Sequence, residues 1–188
     1  MENQKISIEQ AAKMLGAILH VGVYTSAESL LKILKEQSHF KIDKSKFGQI
    51  HFEMTHFYIN LTDRFVFHYL GDPRRHHFFD IFRKEVYKNN WEGHKNTGGK
   101  LEEKEFNDIF NEIHKKRQIE YGMYEFSPKN LGSRGNLFFE FNAKLAEILG
   151  FKNDSLIIMQ IHAIFVPIVN IYFESLKKFL SGISDDKL

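Results

Sequence analysis

The chain contains no cysteine. Disulfides, thiolate metal sites, iron–sulfur clusters and cysteine nucleophiles are therefore excluded, and any metal has to be held by His, Asp or Glu. Proline is nearly as scarce, with Pro73, Pro128 and Pro167 alone in 188 residues. So few breakers leave room for long helices. Net charge is small as well: 26 basic against 24 acidic side chains give +2, too balanced to mark a nucleic-acid or anionic-membrane protein by bulk charge. There is no G-x-S-x-G and no recognisable grouping of acid, base and serine, so nucleophilic catalysis has no motif behind it. The opening MENQKISIEQ mixes charges of both signs and lacks the basic start and apolar core of a secretory signal. A cytoplasmic protein is expected.

What is present argues for a packed helical core. With 43% hydrophobic and 27% charged residues the composition is globular rather than disordered. Nineteen Phe against seven Tyr and one Trp supply large, purely apolar rings, which suit burial better than catalysis. The length fits one domain spanning residues 1–188.

Periodicity and capping signals divide the chain into helices. Ser7 and Gln10 stand at capping-box spacing before Ile8, Ala11, Ala12, Leu15 and Leu19, and Ala12 and Gly16 permit close packing. The pattern stumbles over Val23 to Ser26, and Thr25 with Glu28 reads as a second capping box, so two short helices or one kinked helix are expected. From about Lys44 to Leu70 runs the longest candidate helix, stopped by Gly71. Asp72 followed by Pro73 predicts a helix start, with the helix reaching about Tyr87 and a surface loop over Asn89 to Lys100. Glu102, Glu103 and Glu105 open the next helix, whose buried stripe is Phe106, Ile109, Phe110 and Ile113. His114, Lys115, Lys116 and Arg117 read as cations near its C-terminus, placed there to favour the helix dipole. A helix with Phe138, Phe141, Leu145 and Ile148 ends at Gly150, and Asp154 caps a last helix from Ser155 to about Leu180. That last helix is very apolar, but Gln160, His162, Pro167 and Asn170 interrupt it, so no transmembrane segment is expected. The expected fold is an all-α bundle of about six or seven helices, with residues 44–70 and 155–180 as its central elements.

Three groups of residues carry candidate chemistry. Glu53, His56, Asn60 and Asp63 fall within an arc of about 80° on the 44–70 helix, at ~100° per residue. Glu53 and His56 form an E-x-x-H pair, the spacing with which one helix offers a carboxylate and an imidazole to a metal, and Asp63 would ligate or orient His56. A divalent metal or a small ligand at Glu53, His56 and Asp63, with Asn60 and Arg64 on the same polar stripe, is one candidate site. The alternative is a solvated helix face, since Lys46, Gln49 and Arg64 share the stripe. Arg74, Arg75, Arg83 and Lys84 form the densest basic patch and are candidate phosphate contacts to nucleic acid. The loop Gly132 to Asn136 precedes a helix, where free amides and Arg134 suit an anion. His162 lies among apolar neighbours and reads as a hydrogen-bonded core histidine. No cofactor is predicted. The leading expectation is a non-enzymatic binding or protein-interaction module that self-associates, because helices this rich in Phe leave apolar surface for a partner.

Overall fold

The computed structural model describes residues 6–37, 43–126 and 134–183. The chain is all-α, with α1 Ile8–Gln37, α2 Phe47–Leu70, α3 Asp72–Asn96, α4 Glu103–Gly122, α5 Leu137–Ile148 and α6 Ser155–Ser181. A 3-10 turn, Lys44–Lys46, leads into α2, and no strand is present among the described residues. The six helices match the bundle expected from periodicity.

Local signals set most of the ends. Ser7 and Gln10 exchange side-chain to backbone hydrogen bonds of 3.0 and 3.2 Å, so the first amides of α1 are satisfied by its own capping box. The Asp154 carboxylate accepts from the amides of Leu156 and Ile157 and fixes the start of α6. Gly71 separates α2 from α3 at φ 69°, a left-handed conformation that glycine adopts without a Cβ penalty. It is also the cap residue of α3, and Asp72 already belongs to the helix, with Pro73 in its first turn.

Neither the two-helix alternative for α1 nor the expected end of α3 near Tyr87 is found. α1 is continuous through Thr25 and Ser26, whose hydroxyls bond back to the carbonyls of Val21 and Gly22 one turn earlier. Val23, Ala27 and Leu30 meanwhile keep the same buried face. α3 runs nine residues beyond Tyr87, to Asn96. Asn90 is buried there and donates to the Val86 carbonyl, and a Cβ on Gly93 would meet the His20 ring at 3.1 Å. That glycine is a close-approach position inside a helix rather than a loop residue. Gly16 plays the same part on α1, where a Cβ would lie 2.8 Å from the Glu85 Cβ. α1 and α3 accordingly form the most extensive helix pair.

α2 is the central element, packed against all five other helices. Twelve of its residues are buried, on nearly every side between Glu53 and Thr62. Phe57 stacks on Phe141 at 3.8 Å between ring centroids and meets Tyr121, Phe138 and Phe165 edge-on, which is where the Phe-rich composition is spent. α6 is not central, contrary to expectation. It lies against α5, α1 and α2 on one side and leaves Leu156, Met159 and Ile171 more than 60% exposed on the other.

Candidate functional site

The middle of the α2 stripe sits inside the molecule, whereas Asp63 and Arg64 are half-buried and Gln49 is exposed. Glu53 and Asn60 are 4% exposed and His56 is fully buried, so the stripe is not a wet helix face. An isolated charge at such a position is strongly disfavoured, and each polar group needs a partner from a neighbouring helix. α4 supplies most of them.

Glu53 receives two hydrogen bonds from Arg117, 3.0 Å from Nε and 2.7 Å from the guanidinium terminus, and a third from the Tyr121 hydroxyl. Arg117 also donates to Glu120. Burial alone would lower the Arg117 pKa, but the Glu53 carboxylate outweighs it and raises it. The Tyr121 hydroxyl is pushed well above its usual range by burial first and by the adjacent carboxylate second. Asn60 donates to Gln118 at 3.1 Å and accepts from Arg64 at 3.0 Å. The Arg64 guanidinium then reaches the carbonyls of Tyr121 and Tyr124, closing the C-terminal end of α4 with a cation. Asp63 turns to α3 instead, where Arg75 binds it through two bonds of 2.8 and 2.7 Å.

His56 is the exception. Both its ring nitrogens are buried without a hydrogen-bond partner among the described residues. Its ring lies 5.0 Å from Phe110 and 5.7 Å from His114, whose Nδ1 also lacks a partner. Desolvation lowers His56 to about 3 and His114 to about 4, so both imidazoles are neutral at pH 7. A second pair, His20 and His51, stands 5.6 Å apart between α1 and α2, with His51 lowered to about 4 by burial.

The candidate metal ligands are therefore directed apart. Glu53 faces Arg117, Asp63 faces Arg75 and His56 faces His114. Among the described residues no three His, Asp or Glu side chains converge on a point that would hold a metal. What the stripe does is join α2 to α4 and α3 by charge-assisted bonds.

Arg117 was expected to serve the helix dipole rather than Glu53, and Gln118 and Tyr121 were not singled out as partners of the stripe. Phe106, Phe110, His114, Arg117 and Tyr121 recur at three- and four-residue steps, and that continuation of the apolar stripe was the available signal. α4 ends at Gly122 with no basic residue in its last turn, so these cations do not serve the dipole. Two members of the predicted stripe, Ile109 and Ile113, are not buried; they line a groove of about 590 Å³.

The basic patch on α3 is divided. Arg75 is occupied by Asp63 and lies near Asp72, Arg74 and Arg83 are half-buried, and Lys84 is exposed. Of the anion-loop candidate, Gly132 and Ser133 lie outside the described residues. The Gly135 amide donates to Glu140, and the Asn136 side chain caps α5 through the Phe138 amide. His162 is hydrogen-bonded to Asn142 at 2.9 Å, as expected, but it is half-buried rather than a core residue. No known protein family, curated protein or solved structure matches the chain.

Proposed function

We propose that the chain is a non-enzymatic, self-associating interaction module whose contact face is the exposed side of α1 and α6. The observation that carries this reading is an exposed surface without charge. No Asp, Glu, Lys or Arg occurs between Met14 and Ala27 or between Ser155 and Phe173. Yet Met14, Ile18, Val21, Leu156, Met159 and Ile171 stand 44–70% exposed.

The two helices run antiparallel, the Ile6 amide before α1 bonding the Gly182 carbonyl after α6. Their exposed faces meet along an apolar groove bordered by Ile18, Gly22, Ile168, Ile171 and Ser175. Summed over the two helices, the six large side chains expose on the order of 600 Å² of apolar surface, at the top of the ~300–600 Å² range of the largest patch on a typical monomer and short of the ~800 Å² each partner gives a standard interface. An uncharged face is its own complement, because a two-fold contact sets each patch against its copy and any net charge would meet itself. Ala17, Gly22 and Ala163 lie among the exposed positions and let helix axes approach. Two such pairs facing each other make a four-helix contact.

A lipid bilayer is the competing acceptor, since α1 and α6 are both long and apolar enough to cross one, α6 reaching a mean hydropathy of 2.0. Light scattering on the eluting protein, with vesicle co-sedimentation alongside, separates the two. The expected result is a dimer at micromolar concentration that becomes a folded monomer in Ile171→Glu. A monomer at every concentration that pellets with neutral vesicles would overturn the reading.

A further inference from the structure

We propose that the groove between α2, α4 and the end of α3 binds an apolar molecule with an anionic head, of the size and chemistry of a medium-chain carboxylate. It is an open groove rather than an enclosed cavity, and its volume of about 590 Å³ is of the size of a small-ligand site, ~300–1,000 Å³. The body is apolar: Phe52, Leu101, Phe106, Ile109, Ile113 and Ile148 line it. Three of these, Phe106, Ile109 and Ile113, come from one face of α4, which a soluble helix ordinarily buries. Here Phe106 is buried at 2%, while Ile109 remains 36% exposed on the open side. The space extends to the first turn of α2, where a Cβ on Gly48 would meet nothing within 4 Å.

The polar lining sets the sign of the head. It contains Glu53, Lys116 and Arg117 as its charged groups. Glu53 and Arg117 neutralise each other through their hydrogen-bonded pair, whereas Lys116 is exposed and joins no ion pair among the described residues. One ammonium with no ion-pair partner among the described residues therefore lines a space whose other polar groups are the neutral Ser45, Gln49 and His94 and the mutually neutralised Glu53 and Arg117. A cationic head would meet it unfavourably, and a neutral molecule would gain nothing from it. An alkyl carboxylate matches both parts, the chain along Ile109 and Ile113 and the head on Lys116.

The chain carries its own reporter. Trp91, the single tryptophan, stands 5.4 Å from Phe106 and stacks on His94 at 5.7 Å, and both neighbours line the groove. Titrating the full chain with decanoate while following Trp91 fluorescence should give a saturable change at one molecule per chain. Decyltrimethylammonium should bind at least tenfold more weakly. Lys116→Glu should weaken decanoate about tenfold and leave 1-decanol unaffected, and Ile109→Glu should abolish binding of both. These positions are exposed, so circular dichroism of each variant should be that of the parent. Ile171→Glu, on the α1–α6 face, should leave the decanoate titration unchanged even as it makes the chain monomeric, which keeps this site separate from the self-association surface. A non-saturable response, equal affinity for the cation, or binding lost in Ile171→Glu and retained in Ile109→Glu would overturn the proposal.

Discussion

Acidifying the protein from pH 7 to pH 5 should cost it much of its stability, and the buried imidazoles set the size of the loss. In the unfolded chain His56 and His114 titrate near 6.5, whereas in the folded chain burial holds them at about 3 and about 4. Because the folded values are depressed, the unfolded state binds more protons as the pH drops below 6.5. The contribution to stability is therefore complete above pH 6.5 and is lost progressively as the pH falls from there toward 4 and 3. At pH 5 the gap of 1.5 pH units corresponds to about 2 kcal/mol for each imidazole, so about 4 kcal/mol for the pair. That is a large share of the ~5–15 kcal/mol typical of a folded domain. Replacing His56 by Phe puts a ring of similar shape among Phe52, Phe110 and His114 and removes the titration. Urea unfolding of parent and His56→Phe at pH 7 and pH 5, at one protein concentration, isolates the effect. The parent should lose about 2 kcal/mol more than the variant between the two pH values. Equal losses would show that His56 titrates normally in the folded chain and that its environment is wetter than described.

Other perturbations test the packing. Arg117→Ala leaves the Glu53 carboxylate buried with the Tyr121 hydroxyl as its remaining donor, which should cost about 3–5 kcal/mol in urea unfolding. The double variant Arg117→Met with Glu53→Leu should recover most of that loss, and a single-variant cost under about 1 kcal/mol would contradict the buried pair. Gly16→Ala should destabilise by about 1–3 kcal/mol despite alanine's better helix propensity, because the new methyl meets the Glu85 Cβ at 2.8 Å; a gain in thermal midpoint would mean that α1 and α3 are not in such close contact. Asp154→Ala removes the acceptor of two first-turn amides of α6 and should lower stability by about 1 kcal/mol, with Asp154→Asn losing far less.

Much of the fold could be read from the sequence because its signals are local. The Ser7 and Gln10 box, Gly71 after α2 and Asp154 before α6 each do within a few residues what their chemistry requires. The failures lie where a residue's role is set by another helix. Gly93 reads as a loop former until His20 is seen against it, and Thr25 reads as a cap until its hydroxyl is found bonding back to Val21. On α2 the grouping of Glu53, His56, Asn60 and Asp63 was visible from spacing, but their destinies were not. Arg117 and Arg75 are distant in sequence, and what they bind decides whether a carboxylate is available to a metal. The apolarity of α6 was equally plain. Which of its sides the other helices leave uncovered depends on how α1, α2 and α5 dock, and periodicity does not contain that.

The absence of cysteine permits a direct test of the contact face. A single cysteine at Ile171, in the exposed stripe of α6, should oxidise readily to a covalent dimer, since Ile171 borders the groove between α1 and α6 and a two-fold axis through that groove sets the residue beside its copy. A cysteine at Lys115, exposed on α4 and away from α1 and α6, serves as the control and should stay monomeric under the same oxidant. Self-association through α1 and α6 requires cross-linking at Ile171 and not at Lys115. Equal cross-linking at both positions, or at neither, would contradict it.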